Sequence, residues 1–147
     1  MATKSGAALN WGGLDKALGK ATGKLGNTQA LMESVGDALV SGTLKRFDAE
    51  EEPTGKKWPK SKRAAKEGGQ TLTDKAFLRR SIDYAATPEK VMVGSNLPYA
   101  RIHQLGGKTG KGHKVDMPAR PYLGVSESDL DDVRAAMADF LAGAFKA

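Results

Sequence analysis

Near the end of the chain, Leu130, Val133, Met137, Phe140 and Leu141 recur at three- and four-residue intervals, the spacing that gathers apolar side chains onto one stripe of an α-helix. Such a stripe must be covered, so the rest of the chain has to supply a partner face. Ser126 or Ser128 can cap this helix, and the acidic residues of its first turn suit its positive end. A second helical run lies upstream. Leu31, Val35, Ala38, Leu39 and Phe47 follow Asn27 and Thr28, either of which fits an N-cap, and they predict a helix reaching about Phe47. Gly36 and Gly42 inside it cost about 1 kcal/mol each against alanine and mark places where another element packs closely. Earlier still, Ala7 to Leu9 reads as a short strand, and Leu14, Leu18 and Leu25 keep helical spacing around Gly19 and Gly23.

Between the two long helices the period changes. Ser81 to Tyr84 and Lys90 to Val93 alternate polar and apolar residues around Ala86-Thr87-Pro88-Glu89, a β-hairpin signal. Val115-Asp116-Met117 is a third strand candidate, and Tyr99 to Gln104 predicts one or two helical turns ending at Gly106-Gly107. A short helix is expected from Thr73 to Arg80, and a glycine and lysine loop from Gly106 to Lys114. Glu50 to Gln70 shows no apolar periodicity and reads as an extended basic loop of the kind that orders against a partner. The expected fold is α+β: N-terminal and C-terminal helices packed on a small, mostly antiparallel β-sheet, with a long basic loop. One domain spans 1–147, divided into a helical region 1–48, the loop 49–72, a sheet-containing core 73–124 and a C-terminal helix 125–147.

The net charge of +6 is unevenly spread: nine Lys and Arg fall between Lys56 and Arg80 against Glu67 and Asp74, whereas acidic residues prevail after Gly124. A subunit divided in this way can pair head to tail with its own copies or offer its basic region to nucleic acid. The sequence contains no cysteine, which excludes disulfides, thiolate metal sites and cysteine nucleophiles and fits a reducing compartment. No stretch approaches the roughly 20 apolar residues of a membrane helix, and the first residues lack the apolar core of a secretory signal. A soluble chain without membrane contact is expected.

Catalytic constellations fail on inspection. Gly107-Lys108-Thr109 imitates the end of a phosphate-binding loop, but Ile102 stands where that motif needs glycine. His103 and His113 have no carboxylate four residues away on either side, so His103 reads as a hydrogen-bonded turn anchor and His113 as a surface residue. The adjacent carboxylates Glu50 to Glu52 and Asp131-Asp132 sit in solvated runs and do not form the separated pair of acid–base catalysis. No enzyme activity and no cofactor are expected. Lys56, Lys57, Lys60, Lys62 and Arg63 are candidates to face nucleic acid, with Trp58 among them either stacking on a base or, the favoured reading, tucked into the core. In Pro118-Ala119-Arg120-Pro121-Tyr122-Leu123 the two prolines stiffen the backbone, either as a rigid turn leading into the last helix or as a presented contact segment that holds Arg120 outward over an aromatic anchor, Tyr122.

Several segments, in order, resemble one family, the phage virion morphogenesis proteins, which include the tail completion proteins of P2-like and Mu-like phages. They are Arg46-Phe47, Pro53 to Pro59, Leu72-Thr73-Asp74, Leu78 to Ile82, Val91 to Ser95, Tyr99 to Gly107 and Met117 to Gly124, spanning about residues 46–124. The family usually has glycine before the Leu-Arg pair; Ala76 stands there in this chain and favours a continuous helix over a tight turn. The resemblance implies a structural virion protein, a ring-forming tail completion or neck connector subunit at the head-tail junction, assembled in the host cytoplasm. Its partners would be its own copies in a ring, tail tube or terminator and head connector proteins, and, without sequence preference, the DNA in the channel. Arg120, Tyr122, Trp58, Tyr99 and His103 are then the subunit-interface candidates, and the lysines Lys56, Lys57, Lys60 and Lys62 with Arg63 would face the lumen. The alternative is a small basic nucleic-acid-binding module using Lys56 to Arg80.

Overall fold

The computed structural model describes residues 28–146 and, upstream of them, the strand β1, Ala7–Ala8. The Leu14, Leu18 and Leu25 run lies outside the described residues. The expected α+β architecture is present, with long helices at both ends of the described region and two small antiparallel sheets between them. Helix α1 spans Gln29–Ala49 and buries Leu31, Met32, Val35, Leu39 and Phe47, the stripe that the spacing of its leucines dictates. Thr28 occupies the cap position, but its hydroxyl donates to the Pro88 carbonyl, so the residue ties the helix start to the hairpin turn.

The hairpin is β2, Asp83–Ala86, paired antiparallel with β3, Val91–Ser95, in the register Tyr84↔Val93. Its pairing begins two residues later than the alternation suggested, because Ser81 and Ile82 close the preceding helix. β1 adds on the other side of β3, placing β3 at the centre of the sheet. Val91, Val93 and Ser95 point inward at alternate positions, and α1 crosses their face. The approach is close at Gly36, where a Cβ would overlap the Tyr84 ring. On its other side α1 packs against the C-terminal helix Glu127–Lys146, and there Gly42 leaves room for the carboxylate of Asp129. Both glycines thus mark contacts with other elements, as their cost inside a helix implied.

The stretch expected to be an extended loop is folded. Glu51 bridges Lys57 across a tight turn, in which the Gly55 amide donates to the Glu52 carbonyl at 2.8 Å. Helix α2, Lys62–Glu67, follows, capped by Ser61, whose hydroxyl accepts from the Ala64 amide. The backbone finds its partners locally and on α1, where the Glu51 amide donates to the Arg46 carbonyl at 3.1 Å, and the Gln70 side chain adds a bond to the Asp48 carbonyl. The helix expected over Thr73 to Arg80 shortens to α3, Phe77–Arg80, because Ala76 adopts the left-handed conformation at φ 60°. The tight turn survives without its glycine, contrary to the expectation from Ala76.

Helix α4, Ala100–Leu105, ends at Gly106. The glycine and lysine run expected to be a loop forms β4, Gly107–Thr109, and a 3-10 turn over Lys111–His113. Val115–Met117 is indeed a strand, β5, but it pairs with β4 in a separate two-stranded sheet. The C-terminal helix, α5, begins with a reciprocal cap: the Ser126 hydroxyl accepts from the Asp129 amide, and the Asp129 carboxylate accepts from the Ser126 amide, both at 3.0 Å. Val133 is its most buried apolar residue, with Met137 and Phe140 beside it against the core.

Candidate functional site

Residues far apart in sequence converge on the extended segment Pro118 to Gly124, which among the described residues has no strand beside it to take its backbone hydrogen bonds. Side chains take that role. Gln104, on α4, accepts from the Tyr122 and Leu123 amides at 3.0 and 2.9 Å and donates to the Leu123 carbonyl at 3.1 Å. The indole of Trp58 donates to the Pro121 carbonyl at 2.7 Å, and Arg46 donates from Nε to the Tyr122 carbonyl at 2.8 Å. The Tyr122 hydroxyl donates to the Ala100 carbonyl at 2.7 Å, its ring lies against Phe47, and burial pushes its pKa up. Phe47 in turn meets Trp58 edge-on at 5.5 Å. Arg46, on α1, is buried and also reaches Asp129 at 2.6 Å, Thr43 at 3.1 Å and the Gly124 carbonyl at 3.0 Å. Every donor of a buried guanidinium needs a partner of this kind.

This hub bears on three expectations. Arg120 is turned inward, with 5% of its surface exposed; its Nε donates to the Pro59 carbonyl at 2.6 Å, so its charge is held inside the subunit. The stiff prolines do fix the segment, but they aim Arg120 at the 58–61 stretch. Tyr122 has no exposed surface. Trp58 is buried as the favoured reading had it, and no face is left for stacking on a base. Arg46, which the sequence offered only as part of a resemblance, pairs through Nη1 with Asp129 of the C-terminal helix, within the chain.

Tyr99 and His103 remain near the surface. They line an open groove with Arg63, Leu72 and Phe77, in which Phe77 is 59% and Tyr99 40% exposed. Tyr99 meets the His103 ring edge-on at 6.0 Å. His103 anchors its turn through its carbonyl, which accepts from the Arg120 amide at 2.7 Å, and not through its ring: Nδ1 is buried with no hydrogen-bond partner among the described residues. Burial, and then the nearby charge of Arg120, hold its pKa below the usual 6.5.

Of the basic candidates, Lys56, Lys57, Lys60 and Lys62 are exposed. Lys57 is engaged with Glu51 at 3.4 Å and with the Ala49 carbonyl. Arg63 is only half-exposed; it donates to the Gln70 carbonyl at 2.7 Å and faces Asp74. The lysines therefore line a solvated ridge, while Arg63 braces the turn behind it. A predominantly acidic cleft of about 570 Å³ opens beside the lysines, between the end of α1, the 51–55 turn and the start of α5; Glu51, Glu52, Glu127 and Asp132 line it, with Lys45 among them. Among the described residues no helix is long and apolar enough to cross a membrane.

The model of the phage virion morphogenesis family matches residues 9–142. Over 110 residues the chain is 36% identical to FluMu G protein 2, from a Mu-like prophage of Haemophilus influenzae, covering 75% of each chain. It is 30% identical over 121 residues to a G protein of Escherichia phage Mu, provisionally named for capsid assembly, covering 76% of this chain and 78% of that one. FluMu G protein 1 of the same Haemophilus strain is 29% identical over 112 residues, covering 67% and 72%. No solved structure matches.

Proposed function

The chain belongs to the phage virion morphogenesis family, and from that premise we propose that it is a ring-forming tail completion or neck connector subunit at the head-tail junction of the virion. The carrying observation is exposed, uncompensated charge of both signs. The lysine ridge Lys56, Lys60 and Lys62 is exposed and has no ion pair among the described residues, and Glu127 and Asp132, at the start of α5, are likewise exposed and without one. Copies carrying both can meet head to tail, and a heterologous contact closes into a ring when its rotation allows. The lysine ridge would then face the channel and screen DNA phosphates without reading sequence. Tail tube or terminator proteins and head connector proteins would flank the ring, and the Phe77–Tyr99 groove offers apolar surface for one of them.

With Trp58 buried, a stand-alone nucleic-acid module has lost its aromatic platform. A second reading, action in head assembly, draws on the name of the phage Mu relative. Lysates of a phage with this gene interrupted separate the two. The connector reading expects filled heads and finished tails that do not join; failure to form heads would favour the capsid reading. Electron microscopy of the lysate decides, and sedimentation of the purified full chain, alone and with neck components, tests the ring.

A further inference from the structure

The β4–β5 hairpin stands mostly clear of its own subunit: among the described residues its inward contacts are at its base, where the Met117 sulfur accepts from Arg120 Nη1 at 3.5 Å. From Gly107 to Asp116 every residue except Thr109 is exposed, Val115 at 49%. Two-stranded hairpins without a packed face are marginally stable in water, and three residues per strand give a reach of roughly 10 Å. The base is held firmly, for a Cβ at Gly106 would crowd the Ala119 amide nitrogen at 2.7 Å. Lys108 is neutralised by Asp116 at 3.3 Å, whereas Lys111 and Lys114, at the turn, have no ion pair among the described residues. The structure is thus a firmly rooted basic tip with one apolar side chain beside it.

The acidic cleft is its complement. Glu127 and Asp132 are exposed and also without an ion pair among the described residues; with Glu52 they outweigh the exposed Lys45 of the same lining, and Val125 and Pro53 give the cleft an apolar wall. Asp129 is committed to Arg46. Because its residues stay exposed, the hairpin does not fill the cleft of its own subunit.

We propose that the hairpin is an arm that seats in the acidic cleft of a second copy of this chain, Lys111 and Lys114 meeting Glu127 and Asp132 while Val115 packs on Val125 and Pro53. The inference rests on the ring reading and specifies its contact. Tip and cleft are different surfaces, so each copy gives one and receives one, and the chain of contacts continues from subunit to subunit until it closes.

The absence of cysteine permits a direct test. Lys111→Cys and Glu127→Cys are placed together in the full chain, and purified protein and assembled particles are oxidised and run without reductant. A ladder of covalent multimers is expected from the pair and none beyond dimers from either single variant. In parallel, an amine-reactive cross-linker on the unaltered chain reports any packing of copies. Multimers from that reagent with no cysteine ladder would overturn the arm and leave the ring standing; no multimers from either, in solution or in particles, would overturn both. Reversing the arm with Lys111→Glu and Lys114→Glu should weaken self-association at least tenfold. Adding Glu127→Lys and Asp132→Lys to the same chain should restore it. Loss of DNA retention with self-association unchanged would mean that the tip meets nucleic acid instead.

Discussion

The guanidinium of Arg46 and the carboxylate of Asp129 lie 2.6 Å apart, both almost wholly buried and 83 residues apart in the chain. The pair clamps α1 to the first turn of α5, and the same carboxylate oxygen accepts from the Ser126 amide. Asp129→Ala should therefore cost about 3–5 kcal/mol in denaturant unfolding, since it strands a buried charge as well as a helix end. Asp129→Glu should rescue little, because Gly42 is in contact with the carboxylate and leaves no room for another methylene.

Gly36→Ala raises the intrinsic helix propensity of α1 by about 1 kcal/mol, yet its methyl would overlap the Tyr84 ring. Overpacking of this kind costs roughly 1–3 kcal/mol, so the variant should be less stable than the parent. In a Tyr84→Ala background the sign should reverse. A double-mutant cycle by thermal unfolding measures that coupling.

Ala76 holds φ 60° before α3, a conformation that costs a residue with a Cβ about 1–2 kcal/mol. Ala76→Gly relieves that strain while loosening the unfolded chain, for a net gain of roughly 0.5–1 kcal/mol. An unchanged or lowered melting temperature would contradict the strain at this position.

His103 titrates below its usual 6.5 in the folded protein, through burial and then the charge of Arg120. Between that lowered value and 6.5 the unfolded chain binds more protons than the native one, so stability falls as pH drops through this window and is fully retained above it. His103→Gln should flatten this part of the stability curve, followed by denaturant unfolding between pH 7 and 5.

Trp58→Ala removes a buried ring, its contact with Phe47 and the hydrogen bond to the Pro121 carbonyl, and should cost about 3–5 kcal/mol. Replacing the exposed Lys56, Lys60 and Lys62 together by alanine should change stability by less than about 1 kcal/mol. Side-by-side melts compare the two, and equal losses would mean that the ridge is structural.

Periodicity made the helices legible. The stripes of α1 and α5 and the close approaches at Gly36 and Gly42 are local patterns with a spatial consequence, and alternation located the hairpin to within two residues. The 50–70 stretch was not legible, because its order comes from single long-range bonds, such as Gln70 to Asp48 and Trp58 to Pro121, and not from any apolar repeat. Arg120 was misdirected for a related reason: two flanking prolines reveal a stiff backbone but not the direction its side chain takes. Arg46 gave no warning of its own. A lone arginine in a helix reads as solvated, and only its place one turn from Gly42, on the buried stripe, could have suggested otherwise. Of the seven segments that carried the family resemblance, four, those holding Arg46-Phe47, Trp58-Pro59, His103-Gln104 and Pro118 to Gly124, prove to be neighbours in space around Tyr122.

The side-chain scaffolding of Pro118 to Gly124 bears on the order in which the molecule assembles. A strand beside a strand zips residue by residue, each pairing lowering the entropic cost of the next, whereas this segment is held by Arg46, Trp58 and Gln104, at sequence separations of 76, 63 and 18–19 residues. Closures that distant are slow and are rewarded only when several are made together. The Tyr122 and Leu123 amides should thus gain protection from solvent exchange late in refolding and in a single step, although no ladder of backbone bonds contains them. In the native protein they should open together, as one latch released when Gln104 swings away, ahead of the amides in the middle of α1.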